Sequence, residues 1–180
     1  MKNSIVILFL SCLLVSKFCS SQNLSPSKIK KASDDKFVET ISNLQQFLRL
    51  QNDGNFPAQI EKNKQWCDSV FMALKFKTKT IKTEGAPLLF AEKIYNKNAK
   101  SILFYLQIDG QPVDTSAWFQ PNPFEPVLKE KKDGVWTAID FNKIHEKVNP
   151  EWRIFARSAS DSKGPAIALI SALQILQSKR

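Results

Sequence analysis

The stretch SILFYLQIDGQPVD, residues 101–114, decides how the rest of the chain is read. From Ile102 to Ile108 it is apolar at nearly every position, in both parities of the strand repeat. That pattern predicts a third β-strand, covered on both faces, at the centre of an α/β sheet. Gln107 and Asp109 follow with one apolar residue between them, so on a strand both side chains point to the same face. Gly110 lets the backbone turn close to whatever lies there. The C-terminal ends of such strands are where open α/β sheets place their ligands. A polar strand end before a glycine turn is also ordinary turn chemistry, and this stretch by itself does not separate the two.

Upstream, SDDKFVETISNLQQFLRL (33–50) places Phe37, Ile41, Leu44 and Leu48 at helical spacing. Ser33 is its expected N-cap, with Asp34 and Asp35 in the first turn. NDGN breaks this helix, and Pro57 opens a second, in whose first turn a missing N–H is harmless. Ile60, Cys67, Val70, Phe71 and Leu74 mark its buried side. KFKTKTIK (75–82) alternates as a strand, with Lys75, Lys77 and Lys79 toward solvent, where lysines discourage edge pairing. GAP turns the chain, LLFAEKIY is a second strand, and NKNAK leads into the third.

Downstream, WFQPNPFEPVLKEKKDG (118–134) reads as a proline-rich aromatic loop. Residues 129–152 read as polar and irregular, with short strands near Trp136. From Gly164-Pro165 a third long helix carries Ile167, Ile170, Leu173 and Leu176. Helix, helix, three strands, long loop, helix: the order predicts an α/β domain.

The N-terminus reads as a targeting segment. Lys2 supplies a positive start, residues 4–15 are mostly apolar but too short to span a bilayer, and FCSSQ offers small residues for cleavage. The expectation is a signal peptide over residues 1–21, export to a periplasmic or extracellular location, and no stable membrane span after cleavage. A domain of residues 22–180 remains, long enough to bury a core. Only Cys67 of three cysteines stays in it, which excludes an internal disulfide and fits a buried, inert thiol. Loss of Lys2 and Lys17 lowers the net charge from +9 to +7. The basic residues are 22 Lys and only 4 Arg, spread along the chain. Phosphate forks and base readout lean on arginine, so this is a solvated lysine surface and not a nucleic-acid site.

A second polar element, RSASDSKGPA (157–166), puts Asp161 just before the last helix. An acidic residue there suits a helix N-terminus whatever else it does. The two elements gain meaning together. In order, FLRLQNDGNFP (47–57), LQIDGQPVD (106–114), PFEPVLK (123–129) and IFARSASDSKG (154–164) resemble the N-terminal part of a zinc metallopeptidase family. That family includes aminoacylases, acetylornithine deacetylase, carboxypeptidase G and non-specific dipeptidases. The resemblance covers nearly all of the chain after residue 21.

The resemblance implies the N-terminal portion of a three-layer catalytic domain, a mixed sheet flanked by helices. It also implies hydrolysis of an amide in a small peptide or N-acyl amino acid. Two zinc ions would activate the attacking water. Asp109 stands where the family has a catalytic aspartate, and Asp161 where an aspartate bridges the two metals. The departures are as informative. Gln107 replaces the histidine that binds one zinc, and an amide oxygen is a poor zinc ligand beside imidazole. The chain holds no Glu-Glu pair, and no Asp, Glu or His follows Asp161, so the family's general base and remaining ligands are missing. The only histidine, His145, sits in a polar segment and reads as an exposed residue. The expectation is therefore an incomplete hydrolase, inactive alone and awaiting a C-terminal segment. The alternative is a non-catalytic remnant that binds or supports something else.

Overall fold

The computed structural model describes residues 25–178. The expected signal peptide, residues 1–21, lies outside them. The chain divides into two compact units after Ala32. Of the first, the described part is the opening of a helix that runs on into the second; apart from that opening, everything below concerns the second.

Helix α1 spans Pro26–Leu48, so it begins seven residues before Ser33. Ser33 is an interior helical residue and not the cap expected from the sequence: the Lys-rich residues 28–31 and Ala32 are adequate helix formers. Helix α2 (Pro57–Ala73) starts with proline in its first turn, as expected. Strands β1 (Lys77–Ile81) and β2 (Leu88–Glu92) pair antiparallel, from Lys77 opposite Glu92 to Ile81 opposite Leu88. Lys77 and Lys79 are exposed on that hairpin.

Two expectations are corrected downstream. Residues 101–109 belong to no strand, and the run Ile102 to Tyr105 is exposed instead of covered on both faces. Apolar character alone does not bury a strand; it needs neighbours on both sides. The second correction is a strand, Val127–Lys132, within the stretch read as a proline-rich loop, while a short strand near Trp136 was expected and is present. Strands β3 (Val127–Lys132) and β4 (Val135–Ile139) form a hairpin, and β5 (Arg153–Phe155) adds antiparallel to β3, in the order β4-β3-β5. The hairpin turn is Asp133-Gly134, with φ of 49° and 83°. Asp-Gly with both residues at positive φ is a favoured two-residue hairpin connection. A short helix, α3 (Lys143–Glu146), precedes β5, and helix α4 (Gly164–Ser178) ends the described chain. Among the described residues, four α-helices and two small antiparallel sheets make a mixed α/β fold, the class expected from the sequence.

The core lies among α1, α2 and α4. Phe47, Cys67, Leu74, Ala166, Ile167 and Ile170 are buried together, and Leu89, Leu106 and Ile108 pack against them. The Phe47 and Trp66 rings stack at 4.2 Å, which fastens the end of α1 to α2. Burial pushes the Cys67 thiol up to about 12, so it stays protonated and unreactive.

Candidate functional site

The site begins with a buried asparagine. Asn52, in the turn after α1, is 1% exposed. Its amide donates to the carbonyl of Ile108 at 2.8 Å and to Ser158 Oγ at 3.0 Å. Its own carbonyl accepts from the Gly110 N–H at 2.6 Å, and the Gly110 carbonyl accepts from Gly54 N–H at 3.0 Å. These bonds make the parallel bridge between Asp53 and Gly110. They tie the end of the 101–110 segment to the α1–α2 turn. A Cβ on Gly110 would stand 3.0 Å from Ser158 Oγ and 3.1 Å from the Asn52 side chain, so the glycine is there for close approach.

The Asp161 turn is anchored at both ends. Ser158, buried and at φ 64°, enters it, and its carbonyl accepts from the Lys163 N–H at 3.0 Å. At the other end Lys163 is wholly buried. Its ammonium donates to the carbonyls of Phe47 at 2.8 Å and Leu50 at 2.5 Å, and lies 4.6 Å from the Phe47 ring centre. An amino group at the C-terminus of α1 satisfies carbonyls that the helix leaves open, and when protonated it complements the helix dipole. Burial pushes this amine down to about 7, with the nearby Cys67 acting in the opposite sense. Gly164 follows because an added Cβ would fall 2.3 Å from the Ala159 carbonyl oxygen. Lys163 and Gly164, at the entry to the last helix, hold the loop in place.

Between these anchors Asp161 departs from helical geometry, at φ −124° and ψ 94°, and its peptide bond to Ser162 is cis. Ser162 Oγ donates to the main-chain carbonyl of Gln107. Arg157 donates to the carbonyl of Gln111 at 2.7 Å. The Asp161 turn is thus laced to both sides of the Gln107–Gly110 corner. The product is an open cleft of about 280 Å³ whose walls include Gln107, Asp109, Gly110, Trp118, Arg157 and Asp161.

The three residues singled out in the sequence therefore meet in one cleft. His145 does not join them; it is exposed on α3. Of the loop aromatics, Trp118 lines the cleft, Phe124 is buried, and Phe119 projects into solvent. Asn52 and Ser158 were not foreseen, although a turn asparagine directly after a helix was a visible signal. Glu125, within PFEPVLK, forks onto Arg49 with contacts of 2.7 to 3.1 Å. That ion pair holds the Glu125 carboxyl below and the Arg49 guanidinium above their ordinary values. The motif joins the proline-rich segment to the end of α1.

The described residues do not make a zinc site on their own. Among them no three His, Cys, Asp or Glu side chains come together as a metal group. The cleft offers two carboxylates and an amide, against the three or four nitrogen, sulfur or carboxylate ligands that zinc takes.

The crystal structure of human carnosine dipeptidase 1 has the same fold over this region. The TM-score is 0.62 at 18% identity, covering 84% of this chain and 31% of that one. The chain thus spans less than a third of that structure. In sequence, neither a family model nor a curated protein matches it.

Proposed function

We propose that this chain carries one wall of a metal-dependent amide hydrolase centre of the dipeptidase or aminoacylase type. The observation that carries the reading is the meeting of Gln107, Asp109 and Asp161 in one cleft, in a fold shared with a dipeptidase. In this reading Asp109 is the catalytic carboxylate and Asp161 the metal-bridging one. Gln107 occupies a ligand position with a weaker donor. Zinc would polarise the amide and activate a water once held. The chain's own residues would place the two carboxylates on facing loops that line the cleft. The remaining ligands and the general base would come from polypeptide beyond residues 25–178. The substrates would be small peptides or N-acyl amino acids, met after export; no described helix is long and apolar enough to cross a membrane.

The purified chain should neither hydrolyse dipeptides nor bind zinc tightly. Zinc-dependent turnover by this chain alone would overturn the incompleteness. Reading the DNA past codon 180 in all frames tests the hydrolase reading itself. A continuation with a Glu-Glu pair supports it. The second reading is a binding protein that kept the fold without the metals, and the lack of such a continuation would select it. Gln107→His, which adds an imidazole beside the two carboxylates, should raise zinc affinity roughly tenfold or more by calorimetry.

A further inference from the structure

We infer that Arg157 anchors a ligand carboxylate in the cleft, and that the ligand it takes is a zwitterion, an unblocked amino acid or short peptide. The inference rests on the reading of this cleft as a site for small peptides, and it concerns what the chain's own side chains do there without metal. Arg157 is held from two directions. Its main-chain N–H donates to the Pro123 carbonyl at 2.7 Å, and its Nη2 donates to the Gln111 carbonyl at 2.7 Å. Nε is buried and has no acceptor among the described residues. Buried donors are nearly always paired, so a guanidinium fork only half used marks a place where an acceptor is missing. Neither carboxylate of the cleft supplies it: among the described residues, no ion pair or hydrogen bond joins Arg157 to Asp109 or Asp161. One fixed cation thus lines the cleft unanswered. A guanidinium already held in place loses little freedom when it meets a carboxylate, and its planar donors suit that partner.

Charge then narrows the ligand. The ionisable side chains of the lining are Arg157, Asp109 and Asp161, one cation against two anions. A simple anion, such as an N-acyl amino acid, would meet Arg157 but be repelled by both aspartates. A simple cation would leave Arg157 unanswered. A ligand that carries an ammonium and a carboxylate satisfies both signs. Trp118, half-buried in the wall, offers an apolar face to the carbon skeleton between the two charges. The competing account makes Arg157 a strut between the Asp161 turn and Gln111. A strut needs only the one bond from Nη2, and it sets no preference among ligands.

The test titrates the purified chain, with chelator present, with the dipeptide glycyl-leucine, its C-terminal amide and its N-acetyl form. Backbone amide shifts are followed by NMR, and saturable shifts are expected at Gly110, Gln111 and Ser158. Amidation should weaken binding about tenfold, because it removes a charge-assisted hydrogen bond. Acetylation should weaken it about threefold, because both aspartates are exposed and screened by solvent. Arg157→Gln should bring the free dipeptide to the affinity of its amide, and Arg157→Lys should recover part of the difference. The inference fails if no ligand gives saturable shifts at these amides, or if acid and amide bind alike. It also fails if Arg157→Gln weakens acid and amide equally, which is the mark of a strut. The comparison of acid with amide is made on the unaltered chain, so it stands even if a variant does not fold. With chelator present and no turnover measured, the outcome is separate from the hydrolase reading, which a continuation lacking a Glu-Glu pair would sink whatever the dipeptides do.

Discussion

The two halves of the 101–110 segment differ in a way their sequences do not announce. Residues 102–105 are the more apolar half and are exposed, whereas residues 106–110 contain Gln107 and Asp109 and are tied into the molecule. The difference lies in partners. Leu106 and Ile108 find the α-helical core, and the main chain of residues 107–110 finds Ser162 and Asn52. Residues 102–105 find nothing comparable among the described residues. Hydrophobicity states a demand for cover; topology decides whether it is met.

The firmest test of the tied half is Gly164→Ala. Its Cβ would sit 2.3 Å from the Ala159 carbonyl, a backbone atom that cannot swing away. We expect a loss of about 3 kcal/mol or more in urea unfolding, with the cleft disordered before the rest. An unchanged midpoint would mean that the Asp161 turn is not held as described.

Next comes the pH dependence set by Lys163. Its amine is pushed from 10.5 down to about 7 in the folded chain. Between those values the unfolded chain binds a proton that the folded chain does not, so stability should rise as pH increases from about 7 to 10.5 and level off below 7. The change across the window should be a few kcal/mol. Lys163→Met should remove that rise, so the two unfolding curves should differ in slope as well as in height.

Within the segment itself, Ile108→Ala should cost about 1–3 kcal/mol and Leu103→Ala less than about 0.5 kcal/mol in the isolated chain. Equal costs would dissolve the contrast between the halves. The smallest effect is expected at the Arg49–Glu125 pair. Both side chains are about half exposed, at 48% and 50%, so solvent screens the interaction. Glu125→Gln should cost less than about 1 kcal/mol, and that little should fade in high salt.

Much of this was legible in the residues, and what was not has physical reasons. Helix α2 was plain because Pro57 marks its first turn and Ile60 and Cys67 fall on one face. Strands β1 and β2 followed from alternation and the GAP turn. The approach of Asp109 to Asp161 came from motif order, since they are 52 positions apart and no local pattern joins them. The start of α1 was misplaced because Ser33 is as good a cap in sequence as it is harmless inside a helix. Strand β3 was hidden by the prolines before it, although Asp133-Gly134 signalled a hairpin. Asn52 was read as a helix breaker, yet its amide connects three segments; such a role depends on long-range neighbours that a linear reading does not supply.

The buried ammonium of Lys163 has a practical consequence. Most of the other described lysines reach solvent and should react readily with acylating reagents, while Lys163 is sealed against Phe47 and Leu50. Its modification requires that the Asp161 loop first detach from the end of α1. The rate of labelling at this one amine, followed by mass spectrometry, therefore reports how often the cleft comes apart in an otherwise folded chain.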